Sequence, residues 1–378
     1  MKILIITEEY GRSANGLVVE NIVKGLIEFA DITILTDEYF PKDKLDCKTV
    51  IRSKYTSIRI QTYSIKYLGI DILSQWWLSF LPKELQCGFD LIFSVISTGH
   101  YAPLRVGSKI KKQYGGHFYA YFVDAIPAPK PFLKDDVYIN NISRYINWYC
   151  DNVEVIFSAT QEMSDYQSTI VDNHNIRFEE LYNPSKTNDI VYFSEKSKSR
   201  VFTYTGNIYI PRNPKYLLDA FSMLLKAYPD AQLKIIGNNI LNYFDSFLKE
   251  QSFEVQEHVQ CLPFQKDLTE IFKDSSALID IGCDVENDVY MSNKINGYIA
   301  YGRPIICETS ESSPASRIFK GMKSVLLCRH NAEELYEAMM QVLADGYSVD
   351  YSERDGIMKE MSIKGVAQRI IDLYYGKK

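Results

Sequence analysis

No Cys-x-x-C pair occurs among the seven cysteines, and they form no Cys/His cluster at zinc-ligand spacing. A disulfide framework or a structural metal is therefore not expected; reduced, mostly buried thiols are. No apolar run approaches the ~18 residues that a membrane-spanning helix needs. Basic surplus is also missing. With a net charge of -6 the chain has no bulk attraction for a nucleic-acid backbone, and nucleic acid is not an expected partner. No period of 20 to 50 residues is apparent, which sets a solenoid aside.

What is present is the composition of a folded protein, 46% hydrophobic and 24% charged over 378 residues, long enough for two domains. The opening "MKILIITEEYG" has too short an apolar run for a signal-peptide core. The expected location is cytoplasmic, with association to the inner face of the membrane left open.

Strand and helix patterns alternate along the chain. "KILIIT", a polar loop, the periodic "NGLVVENIVKGLIEF" and "DITILT" read as strand, helix, strand, and a right-handed crossover makes that sheet parallel. Further strands read at "DLIFSVI", "HFYAYFVD" and "EVIFSAT", with helices near 103–114 and 137–151. Residues 183–200 lose periodicity and gather Lys and Ser, the signature of a linker. Alternation then restarts at "RVFTYTGN", "AQLKIIGN", "VQCLPF", "ALIDIG", "RPIIC" and "SVLLC", with helices near 214–227, 240–250 and 266–274. The fold class is α/β, with two Rossmann-like domains: residues 1–190 and 200–360, followed by a C-terminal helix over 361–378 that suits packing back on the first domain.

In open α/β sheets ligands bind beyond the carboxyl ends of the strands. Three loops there carry chemistry. "TEEYGRSANG" supplies Gly11 and Gly16. "TGNIYIPRNPK" supplies Gly206 and Asn207, then Arg212 and Lys215 before a helix, and "AQLKIIGN" ends in Gly237. "CDVENDVYMSNK" supplies Asp288, then Ser292 as helix cap, Asn293 and Lys294 in the first turn. A lysine there opposes the helix dipole unless an anion is bound, so two cationic loops in one domain point to a diphosphate.

"YTGNIYIPRNPKYLLDAF", "AQLKIIGN" and "MSNKINGYIAYGRPII", in this order, resemble the nucleotide-sugar-binding domain of GT-B glycosyltransferases, in particular glycosyltransferase family four. "YFVDAIPAP", "VIFSATQEMSDY" and "LYNP" are similar to the N-terminal domain of the same family. The resemblance implies two Rossmann-like domains with parallel sheets facing across a cleft. It implies a nucleoside-diphosphate sugar held at its phosphates by Arg212 and Lys294, and a glycan or lipid-linked acceptor on the N-terminal domain, as in cell-surface polysaccharide synthesis. Retention of configuration is implied, without metal, since the Asp-x-Asp pattern of the other glycosyltransferase fold is absent from "CDVEND". No cofactor is expected.

The chain departs from the family at one place. Many members carry two glutamates eight positions apart, and here the second falls on Gly297 and the first on Val289, beside Asp288. His100 and Asp124, each after a strand, are the catalytic candidates of the N-terminal domain: one would be the base of an inverting enzyme, whereas in a retaining enzyme both would position the acceptor. The segment 65–86, with Trp76 and Trp77, is read as a core or dimer helix or as a peripheral membrane contact. Two rival functions remain open: a nucleotide-sugar 2-epimerase, disfavoured because the C-terminal site loops hold no histidine, and a non-catalytic binding or scaffold subunit.

Overall fold

The computed structural model describes residues 1–42, 44–52, 57–79, 81–185, 191–193, 197, 199–237, 242–345 and 347–376. The chain divides into two compact units, Met1–Lys186 with Glu360–Lys378, and Thr187–Lys359. Half of the linker expected over 183–200 lies outside the described residues, as does the start of the helix expected from 240.

The first unit contains a seven-stranded sheet. In chain order its strands are β1 (Lys2–Ile6), β2 (Asp31–Thr36), β3 (Lys48–Ile51), β4 (Leu91–Ile96), β5 (His117–Phe122), β6 (Val155–Ser158) and β7 (Arg177–Glu180). Their spatial order is β3-β2-β1-β4-β5-β6-β7, and every pairing is parallel. The second unit contains β8 (Val201–Thr205), β9 (Gln232–Ile236), β10 (Val259–Leu262), β11 (Ala277–Ile281), β12 (Ile305–Glu308) and β13 (Val325–Cys328). These are ordered β10-β9-β8-β11-β12-β13, again parallel throughout. Each sheet reverses its winding once, between β1 and β4 and between β8 and β11. Those two points are where a doubly wound sheet opens a crevice for a ligand.

Burial follows from the connections. Crossover helices cover both faces, so a central strand such as β4 is buried at every residue, and its sequence LIFSVI reads as one apolar run. The edge strands differ. β3 (KTVI) and β7 (RFEE) are only partly buried, carry charge, and give no apolar signal.

The helix Ile363–Tyr374 closes on the helix Ala14–Leu26 of the first unit. A side chain at Gly25 would put its Cβ 2.5 Å from the Ile363 carbonyl oxygen, so glycine permits that approach. Four cysteines, Cys150, Cys283, Cys307 and Cys328, are buried, and all seven are free thiols.

The segment 65–86 is not one helix. Gly69, at φ +64°, ends the helix Ile58–Leu68 in a left-handed cap, and a second helix, Ile72–Ser79, follows. Trp77 is buried in the core, with its indole Nε1 donating to the Arg52 carbonyl at 3.2 Å. That is the core alternative for Trp77, not the membrane contact. Trp76 is partly exposed beneath the Arg52 guanidinium, 5.5 Å from its ring. Among the described residues no helix is long and apolar enough to cross a membrane.

Candidate active site

The second unit gathers its cations where β8 and β11 part. β8 runs into Gly206, at φ +96°, and β9 into Gly237, at φ +154°. A Cβ at Gly237 would lie 2.7 Å from the Gly206 carbonyl oxygen, and one at Gly206 would lie 2.7 Å from Cε of Lys294. The two glycines thus let backbone and lysine stem stack where side chains would collide. Lys294 Nζ then sits 5.2 Å from the centre of the Tyr204 ring, a cation over an aromatic face.

Arg212 reaches the same place from the loop after β8. Its Nε donates to the Ile281 carbonyl, the last of β11, at 3.0 Å, and its guanidinium lies 5.2 Å from the Tyr209 ring. The Arg212 carbonyl in turn accepts from Tyr243 Oη at 3.2 Å. Tyr298 ties the next element to β8, its hydroxyl accepting from the Thr205 amide at 2.7 Å. Ser292 caps the short helix Asn293–Tyr298, accepting from the Lys294 amide at 3.4 Å. That helix has only six residues, so the positive field comes from Lys294 and Arg212 rather than from a long dipole.

Among the described residues Lys294 forms no ion pair with a carboxylate. Burial, and then the Arg212 charge, push its pKa down to about 8, while Asp280 opposes them without forming an ion pair. Asp288 is buried, accepts from the Tyr290 amide at 2.9 Å, and is pushed up to about 6 chiefly by burial. Asn207 supplies a carbonyl to Tyr204 Oη at 2.9 Å, and Asn293 is exposed at the helix start. Lys215 is not tied to this group: it pairs with Asp219 one turn along the exposed side of its own helix. Gly297 meets nothing; a Cβ there would find no atom within 4 Å.

A further pair emerges at the ends of β12 and β13. Glu308 is fully buried, and its Oε1 lies 2.8 Å from Nδ1 of His330. Burial pushes the Glu308 carboxyl up to about 7 against the pull of His330. Burial would lower His330, but the Glu308 contact outweighs it and raises the imidazole above its ordinary value. Oε2 of Glu308 and Nε2 of His330 have no hydrogen-bond partner. The expectation that the C-terminal site loops hold no histidine is therefore corrected. It failed because the loops after β12 and β13 contain no glycine, and Arg329 beside His330 pairs with Glu334 rather than marking a ligand.

In the first unit the switch point gathers acids. Glu8, just after β1, is buried; its Oε2 lies 2.9 Å from His100 Nδ1, and its Oε1 accepts from the Ala102 amide at 3.0 Å. Glu9 Oε2 lies 3.6 Å from the other ring nitrogen, Nε2. Asp124 Oδ2 accepts from the Thr98 amide at 3.0 Å and from Asn15 Nδ2 at 3.4 Å. His100 and Asp124 therefore both reach the loop that follows β4, as their positions after strands suggested. Glu8 and Glu9 were the missed partners, and their only signal is their place directly beyond the first strand. Gly11, at φ +82°, and Gly16 shape the β1 loop: the Gly11 amide donates to the Gly16 carbonyl at 3.0 Å, and a Cβ on either would strike backbone.

Comparison with known proteins agrees with this layout. Residues 199–345 match the family described as glycosyl transferases group 1. Anabaena HepE, solved with UDP, is similar over 100% of both chains at 12% identity, with a TM-score of 0.70. The lipopolysaccharide outer core galactosyltransferase WaaB is similar over 100% of this chain and 99% of its own, at 17% identity and a TM-score of 0.64. The fold is GT-B. S. aureus MnaA, solved with UDP, shares the GT-B architecture more distantly, at 12% identity and a TM-score of 0.54 over 99% and 96% of the two chains. No curated protein matches the sequence. The family match spans the GT-B half that holds Gly206, Arg212, Asp288 and Lys294, and it ends beyond His330.

Two predictions follow from Lys294. Its ammonium is present below about 8 in the free protein, and a bound anion raises that pKa. Nucleoside-diphosphate affinity should fall by up to about tenfold per pH unit above that point, with proton uptake on binding, measured by calorimetry in buffers of different ionisation enthalpy. Lys294→Arg should flatten this dependence. Gly206→Ala forces a side chain into a left-handed backbone at a cost of about 1–2 kcal/mol and displaces the lysine stem, so both Tm and diphosphate affinity should drop together.

Proposed function

We infer that the protein is a glycosyltransferase that moves a sugar from a nucleoside diphosphate to a glycan or lipid-linked acceptor. The observation that carries this reading is the Lys294 ammonium beside Arg212, at the switch point, in no ion pair with a carboxylate among the described residues. Charged side chains in partly buried positions normally have a counter-ion, and a diphosphate supplies one. HepE and MnaA, each solved with UDP, show that this fold takes such a ligand in other proteins.

The chemistry follows from charge. Breaking the anomeric C–O bond leaves negative charge on the diphosphate, and cations already in place stabilise it. Arg212 and Lys294 hold the phosphates, and Asp288, largely protonated below about 6, is available as a hydrogen-bond donor to the sugar near its titration point. On the first unit, Glu8 Oε2 lies 2.9 Å from Nδ1 of His100 and fixes the ring, and Asp124 is held by the Thr98 amide, so both side chains are set to position an acceptor. The transfer we propose is retaining, with a donor phosphate oxygen taking the acceptor proton, and uses side-chain cations without metal. Polysaccharide assembly is the setting we assign to it, by likeness to WaaB, a lipopolysaccharide outer core galactosyltransferase.

A second reading rests on the Glu308–His330 pair. A buried carboxyl near neutrality hydrogen-bonded to a histidine suits proton transfer, as a nucleotide-sugar 2-epimerase requires. The two readings separate on product: an epimerised sugar nucleotide formed without acceptor would select the second.

Slow hydrolysis of the donor in the absence of acceptor should be lost in Arg212→Ala and Lys294→Ala and unaffected by a chelator. A chain that binds donor and never turns it over would be the scaffold instead. Gly297 gives an independent check. Gly297→Ala should stabilise the fold by up to ~1 kcal/mol, because the new Cβ meets nothing. Gly297→Glu should tighten a nucleoside diphosphate but not inorganic diphosphate, if ribose lies against this position.

A further inference from the structure

Asp71 is a buried acid with one oxygen more than its own helix needs. Its Oδ1 accepts from the Leu73 amide at 3.0 Å and from the Ser74 amide at 3.4 Å, which caps the helix Ile72–Ser79. That completes the cap. The other oxygen, Oδ2, lies 3.2 Å from Tyr145 Oη, on the helix Asp136–Cys150, and both residues are buried. A cap facing water would serve the helix without the cost of burying a charge, so capping alone does not account for the place of this carboxylate.

The Tyr145 hydroxyl also lies 3.2 Å from the Tyr101 carbonyl oxygen, so its single proton is shared between two acceptors. That carbonyl belongs to the same peptide unit as the Ala102 N–H, and the Ala102 amide donates to Glu8 Oε1 at 3.0 Å. Ala102 opens the helix Ala102–Tyr114, whose N-cap residue Tyr101 makes no side-chain capping bond. Glu8 therefore supplies the missing acceptor from beyond the first strand, where the helix dipole also favours a carboxylate. Its second oxygen, Oε2, lies 2.9 Å from His100 Nδ1. With both oxygens engaged, the position of the 101–102 peptide decides where the imidazole is held. Burial, and then the Glu8 charge, push the Asp71 carboxyl up, so the two acids sense each other within one buried network.

We propose that Asp71 and Tyr145 are positioning residues for His100, acting through the Tyr101–Ala102 peptide and Glu8. The path joins three packed helices to the loop after β1, which fixes the ring more firmly than a loop alone would. That the ring so placed serves an acceptor rests on the function proposed above, whereas the positioning itself does not.

The test is 15N NMR of the full chain with its five histidines labelled in the ring, the His100 signals being assigned by their loss in His100→Gln. Tyr145→Phe keeps every charge and the ring, and removes only the hydroxyl. A carboxylate held against the imidazole favours its charged form, so loosening Glu8 should lower the His100 titration midpoint by about half a pH unit, roughly a threefold loss of proton affinity. The other four histidines should not move. Asp71→Asn and Asp71→Ser remove the same charge and can both cap the helix, but only asparagine reaches Tyr145; serine should therefore lower the midpoint further than asparagine does. If Tyr145→Phe does not fold, the Asp71 pair decides alone. A His100 midpoint unchanged in folded Tyr145→Phe, or equal in the two Asp71 variants, would overturn the proposal, even with a lowered Tm, because the network would then be structural only. Calorimetry with UDP is run in parallel, and the variants should match the wild type because these residues belong to the first unit. A wild type that fails to bind UDP would sink the donor reading and leave the His100 result standing.

Discussion

An ammonium group drawn against the ends of a parallel sheet, in no ion pair with a carboxylate among the described residues, organises the second unit. Lys294 can occupy that place only because Gly206 and Gly237 remove two side chains from its path and Tyr204 offers a ring face in place of an acid. Arg212 adds a second positive charge, which by itself would drive the lysine away or deprotonate it. The arrangement is electrostatically incomplete without an anion. Removing charge from water is costly, so a fold that accepts this cost without a counter-ion has been shaped around something it binds.

The first unit uses the same sheet topology for the opposite charge. Its switch point presents Glu8, Glu9 and Asp124 around one histidine, and Asp71 lies close enough to Glu8 that burial and this neighbour push it up to about 6. A site of that kind repels phosphates and suits hydroxyls, which need acceptors and a well-oriented donor. Two copies of one architecture thus differ in the side-chain charge at their switch points. The division lies in the loops, since the sheets beneath them are alike in order and in burial.

How much of this the sequence carried depends on what each element buries. β1, β4, β8 and β11 are buried along nearly their whole length and are mostly apolar, so they were readable. β3 and β7 are short, charged edges whose pairing comes from tertiary context, and nothing local announced them. Arg212, Lys294 and Gly206 were legible because glycine and cations beyond a strand have few other uses; Lys215 carried the same signal and turned out to serve its own helix through Asp219. Glu308 and His330 were hidden for the converse reason. They lie 22 residues apart in sequence and become a pair only through the register of β12 with β13, which sets Glu308 opposite Cys328.

The helix Ile58–Leu68 shows the limit of reading burial from polarity. Apolar periodicity assigns the face with Ile60, Tyr63 and Tyr67 to the core, whereas the fold turns Gln61 and Ser64 inward. Inward polarity is tolerable there because Ser64 Oγ donates to the Gln61 carbonyl at 2.8 Å and the Asn141 side chain holds the Lys66 carbonyl from the neighbouring helix. Outward apolarity has no such internal compensation. Gly297 is the same problem in miniature: the family resemblance puts a glutamate at its place, and the structure leaves open space there. In both cases the residue type conflicts with its surroundings in the isolated chain. When local and global preferences disagree in this way, the missing term is most economically a ligand or a surface that the chain meets in use.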